Sequence, residues 1–195
     1  SKDYCVIKNV SGDLEDFDAV FRSTFLILLS MAEESYNSIK NQNFSHLKNV
    51  AFTEETNNRF TTTCRRLINK KGYKNFKQTG PMYYIIEEIE NLADQYKYLC
   101  TYLAKYKDNK DKASKEVLDL FYETNESLRK FYEVFYQLDE KKVAEISQTR
   151  KQLVQKILNL FEKKPSTIDL VLLHHQIIIM QKIFCLVGPY LVMAL

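Results

Sequence analysis

Glu87, Glu90 and Asp94 lie three and four residues apart in PMYYIIEEIENLADQYKYLCTYL, the stretch from Pro81 to Leu103. At helical spacing these carboxylates stack one above another on one side. Like charges so placed repel by about 0.2–0.5 kcal/mol per pair in an isolated helix. A bound cation relieves that repulsion, and hard metal ions favour carboxylate oxygens. The three residues are therefore candidate metal ligands. The plain alternative is a solvated polar face, because Glu is common on helix surfaces. Ile85, Ile89, Leu92, Tyr96 and Leu99 fall on the opposite stripe and read as its core side.

A second charged feature precedes this one. From Arg59 to Lys77 the chain holds Arg59, Arg65, Arg66, Lys70, Lys71, Lys74 and Lys77 with no acidic residue. Such a run can dock an acidic partner or a phosphate group. It can equally complement a helix C-terminus, worth about 0.3–1 kcal/mol per cation at low salt. Arg59, Arg65, Arg66, Lys70 and Lys71 are the candidate partner-binding residues. The whole chain carries 28 basic and 25 acidic residues, a net charge of +3, which is too weak for a general nucleic-acid binder.

Other chemistry finds little support. Cys5, Cys64, Cys100 and Cys185 form no CxxC pair, which speaks against a zinc ribbon or a thioredoxin-type site. Scattered cysteines fit a reducing cytosol. His174 and His175 have no acidic or cysteine partner at i+3 or i+4 and read as partly buried histidines. No Glu-x-x-His pair occurs, which speaks against a ferritin-like di-iron oxidase. There is no Gly-rich phosphate loop and no nucleophile elbow. The residues do not point to an enzyme.

The elements that position these residues are long helices. Only 4 Gly and 3 Pro punctuate 195 residues, too few for an all-β chain of this length. Hydrophobic residues at 45% and charged residues at 27% allow a packed core. Residues 1–12 contain a strand-like segment, Tyr4 to Val10, which reads as a remnant or linker. Asp13 can cap a helix over about 14–41, with Phe17, Phe21, Phe25, Leu28 and Met31 on one stripe. A second helix spans about 44–71 and ends at Gly72, a usual left-handed terminator. Gly80-Pro81 is expected to start a third, because Pro is tolerated at the first helical position. It runs to about Tyr106. After a charged linker at 107–113, three more helices cover about 114–138, 141–161 and 167–195. The fold class is therefore all-α: two tandem three-helix bundles, 13–106 and 114–195, built from six long antiparallel helices.

The final helix, LVLLHHQIIIMQKIFCLVGPYLVMAL, is nearly apolar all round and should be buried on most sides. It approaches the length of a membrane span. Gln181 and Lys182 near its middle and Gly188-Pro189 speak against one. The preferred reading is a helix packed in the second bundle, with surplus apolar surface in a homodimer contact.

The repeat and its acidic motif resemble a known family. Glu90-Asn91-Leu92-Ala93-Asp94 looks like the ExxxD motif of PhoU proteins, the phosphate-uptake regulators, which closes the third helix of each three-helix repeat. MAEESYNSIKNQNFSHLKNVAFTEETNNRFTTTCRRL, from Met31 to Leu67, resembles the first two helices of a PhoU repeat. Within it, Glu54 to Arg59 sits where members carry Glu followed by Asn or Asp and Arg. The nearest likeness is to archaeal PhoU-like proteins with an upstream AbrB-type DNA-binding domain. The resemblance implies a cytosolic adaptor rather than a catalyst, docked at the inner face of the membrane through the phosphate ABC transporter and linked to its sensor kinase. It also implies iron or zinc as the metals to expect at Glu90 and Asp94, with Glu87 a neighbour on physical grounds only. The second repeat departs from the pattern, with Gln181 and Cys185 at the matching positions. Two other classes stay open on the residues alone: a ligand-sensing or dimerising domain of a transcription regulator, and a helical-bundle metalloenzyme.

Overall fold

A computed structural model describes residues 14–105 and 112–195. The strand-like segment at the start, the Asp13 cap and most of the 107–113 linker lie outside the described residues. The described residues form six α-helices and no strand: α1 Leu14–Lys40, α2 Leu47–Lys71, α3 Phe76–Ala104, α4 Lys115–Tyr136, α5 Glu140–Phe161 and α6 Thr167–Ala194. The all-α class is as expected.

Polar caps set most of the starts. Ser114 accepts from the Val117 amide, Asp139 from the Lys141 and Lys142 amides, and Ser166 from the Asp169 amide. Gly72 follows α2 at φ 73°, a value that glycine adopts without strain, although its ψ of 179° is extended rather than left-handed helical. Two starts differ from the sequence reading. Phe44 lies in a turn before α2, where its ring is buried. Helix α3 begins at Phe76, not at Pro81, because Asn75 caps it by accepting from the Lys77 amide. Pro81 thus sits inside the helix. The turn before it is held from outside: Gln78 donates to the Met193 carbonyl at 2.9 Å, and Thr79 accepts from the Tyr73 amide at 3.0 Å.

In each set of three helices the chain runs up, down and up. Helix α3 packs against α1, α2 and α6; α6 packs against α3, α4 and α5; α1 also meets α4. One apolar core runs through both sets. The α1 stripe of Phe17, Phe21, Phe25, Leu28 and Met31 is buried as expected. Its Phe21 and Phe25 rings meet Phe135 of α4 at 5.1 and 5.5 Å between centroids. The α3 stripe is buried too, and Ile86, Ala93, Cys100 and Leu103 add a second buried flank. That flank exists because α3 has neighbours on several sides. A half-buried polar link ties three helices: Tyr96 of α3 donates to Asn125 Oδ1 of α4 at 2.8 Å, and Asn125 donates to the Ala32 carbonyl of α1 at 2.8 Å. Helix α6 is not buried on most sides. Ile168, Leu172, Ile179, Ile183 and Leu186 face the core, while Leu170 and Val192 are exposed at 47% and 71%.

Candidate functional site: the charged seam between α2 and α3

The antiparallel pairing of α2 and α3 brings the two charged features of the sequence together. Glu54, Thr61 and Arg65 share one side of α2, spaced by seven and four residues. They face Lys97, Glu90 and Glu87 of α3 in reverse order. Arg65 Nη1 lies 2.6 Å from Glu87 Oε1, and its Nη2 lies 2.6 Å from Glu90 Oε2. Thr61 donates to the same Glu90 oxygen at 2.8 Å. Two helical turns further, Lys97 Nζ lies 2.9 Å from Glu54 Oε2 and 3.3 Å from Asp94 Oδ1. Glu54 is buried, and the Arg65 side chain is only 20% exposed.

Burial by itself would lower the Arg65 guanidinium's pKa. The hydrogen bond it donates to Glu87 and the charges of Glu90 and Glu87 outweigh that, so it stands above its ordinary value. The Lys97 ammonium is raised as well, first by its hydrogen bond to Glu54. Both cations are therefore held charged by the carboxylates they bridge.

This arrangement bears on the expected metal ligands. Glu87, Glu90 and Asp94 do share one face of α3, but their repulsion is relieved by Arg65 and Lys97. Among the described residues no group of three His, Cys, Asp or Glu side chains is placed to hold a metal ion. Four carboxylates against two cations leave an acidic surplus, yet iron or zinc would have to displace Arg65 or Lys97 to reach them. As placed, the residues do not fit a metal centre.

The second set of helices repeats the geometry with different chemistry. Arg150 of α5 donates to Gln181 Oε1 of α6 from Nε at 2.9 Å and from Nη2 at 2.7 Å. Its guanidinium lies 4.7 Å from the centroid of the Phe184 ring. A neutral amide thus stands where the first set has Glu90. Cys185, at the position matching Asp94, accepts weakly from Gln181 at 3.8 Å. Between the two sets, Lys182 of α6 reaches Glu88 of α3 at 3.4 Å.

The basic segment divides. Arg65 is drawn into the seam, Arg59 lies 3.9 Å from Glu55, and Lys74 lies 2.9 Å from Asp18. Arg66, Lys70 and Lys71 stay on the exposed side of α2. An open cavity of about 500 Å³ there is lined by Arg59, Thr62, Thr63 and Arg66 together with Glu55 and Asn58. Sequence reasoning missed Lys97, which reads as an ordinary surface lysine, and Thr61. The signal that could have found both is the reversed spacing of polar residues on α2 and α3.

No protein-family model and no curated protein sequence matches the chain. Its fold is similar to the crystal structure of the phosphate transport system regulatory protein PhoU from Streptococcus pneumoniae. The TM-score is 0.72 at 12% sequence identity, over 91% of this chain and 93% of that one. The likeness is one of fold. It supports neither the narrower archaeal grouping nor an upstream AbrB-type domain.

Proposed function

We propose that this chain is a regulator of phosphate transport and phosphate signalling that acts by binding protein partners, not by catalysis. The observation that carries the reading is the similarity in fold to a PhoU protein over nearly the full length of both chains. The charged seam agrees with it: its carboxylates are occupied by Arg65 and Lys97. By resemblance the proposed partners are components of the phosphate ABC transporter and its sensor kinase, and the proposed location is the cytosol. The exposed side of α2, with Arg59, Arg66 and Lys70, is the basic surface offered to an acidic partner. Helix α6 is long and apolar enough to cross a membrane. We read it as a member of the bundle, since it packs on α3, α4 and α5 and pairs Lys182 with Glu88.

The test is binding of the purified chain to the transporter's ATP-binding subunit and to the cytosolic part of the sensor kinase. Saturable binding to one of them is expected. Arg66→Glu/Lys70→Glu should weaken it about tenfold or more at low salt and less at high salt. Binding to neither component, with phosphate uptake unchanged when the gene is deleted, would refute the proposal.

A further inference from the structure

The two equivalent arginines differ in charge balance. Arg65 faces two carboxylates. Arg150 is oriented by two hydrogen bonds to Gln181 and by the Phe184 ring, but a neutral amide cannot offset its charge. Among the described residues no carboxylate meets Arg150. Across the α3–α6 seam, Glu88 is paired with Lys182. Arg150 is therefore a fixed guanidinium with donors to spare and no counter-ion.

Its surroundings are largely apolar. Helix α6 turns an outward face to solvent in which Leu170, Ile178, Phe184 and Val192 are half-buried or exposed, with the exposed His174 and Gln181 between them. Leu158 of α5 is 48% exposed. From Leu170 to Leu195 there is no acidic residue at all. An oriented arginine stacked on an aromatic ring within an apolar surface has the composition of a binding hot spot. We propose that the α5–α6 face docks a partner protein through an amphipathic helix that presents one carboxylate to Arg150 amid apolar side chains. Charge complementarity selects this occupant. A second copy of the chain, pairing stripe to stripe, would bring another Arg150 and no acid, so like charges would meet in a desolvated contact. A lipid surface would cover the apolar stripe but offers no fixed carboxylate at its centre.

The experiment uses a pair of synthetic helical peptides of about four turns, with Leu at i, i+3, i+4 and i+7 and either Glu or Gln at the centre. Binding is followed by calorimetry and located by NMR shifts on the chain. The Glu peptide should bind at the α5–α6 face about tenfold more tightly than the Gln peptide at low salt. Arg150→Met, which keeps an apolar stem, should erase that preference while leaving helicity intact. Ile178→Asp should weaken both peptides. Equal affinity of the two peptides, a preference that survives Arg150→Met, or no saturable binding at this face would overturn the proposal. So would a concentration-dependent dimer dissolved by Ile178→Asp, or binding of this face to phospholipid vesicles in place of the peptides.

Discussion

Replacing Arg65 by Met tests whether the seam between α2 and α3 stabilises the fold. The guanidinium lies 2.6 Å from both Glu87 and Glu90, whose side chains are 37% and 22% exposed. A fully exposed ion pair contributes about 0–1 kcal/mol, and breaking a fully buried one costs about 3–5 kcal/mol. This site lies between those limits, and its loss leaves two carboxylates three residues apart with no cation. The expected cost is about 2–3 kcal/mol. For a chain of this size 1 kcal/mol moves Tm by about 2–4 °C, so the drop should be about 4–12 °C. The assay is urea unfolding together with thermal melting followed by circular dichroism. Adding Glu87→Gln and Glu90→Gln to Arg65→Met removes the stranded charges and should recover about 1 kcal/mol of the loss. A change within about 0.5 kcal/mol for Arg65→Met, or no recovery in the triple variant, would refute the reasoning.

Tyr96→Phe removes the donor to Asn125 and leaves a half-buried amide oxygen without that partner, at a cost of about 1 kcal/mol in urea unfolding; no change would mean that water replaces the hydroxyl. Burial, and then the charge of His174, pull His175 from 6.5 down to about 4. The unfolded chain therefore takes up a proton below pH 6.5 that the folded chain refuses, and the stability present above pH 6.5 is lost as pH falls through about 4. His175→Phe should flatten that part of the Tm-against-pH curve, and an unaltered slope would show that other groups cause it. Elemental analysis of protein purified without chelator should find no stoichiometric iron or zinc; metal that disappears in Glu90→Ala/Asp94→Ala would show instead that it displaces Arg65 or Lys97.

The helices were legible because their signals are local. Phe17, Phe21, Phe25, Leu28 and Met31 recur at the helical period, which one stretch of sequence displays by itself. Helix α3 was misread at its start because Pro81 mimics a first helical position, whereas the contacts that extend the helix back to Phe76 come from Tyr73 and Met193. Ile86 and Cys100 are buried by neighbours that periodicity along one helix does not reveal. The site was half legible. The acidic stripe on α3 and the basic segment of α2 both stand out, but their meeting depends on the register of two antiparallel helices. Arg65 and Arg66 look alike in the sequence; one rotates into the seam and the other into solvent.

The same register argument gives the two halves of the chain different properties from one geometry. Arg150 stands against Gln181 as Arg65 stands against Glu90, so a single exchange of carboxylate for amide decides whether the arginine's charge is satisfied internally. Gln181→Glu should therefore convert the second half toward the first. The new carboxylate would lie about 2.7–2.9 Å from the guanidinium, the distances the amide oxygen keeps now. Because this pair is exposed, the gain in stability should be small, about 0–1 kcal/mol. The effect on recognition should be large by comparison, since the introduced acid competes with any carboxylate brought by a partner. Calorimetry with the Glu and Gln peptides separates the two effects: Gln181→Glu should abolish the preference for Glu while Tm stays the same or rises slightly. A variant that keeps the full preference would show that Arg150 reaches its partner with donors Gln181 does not control.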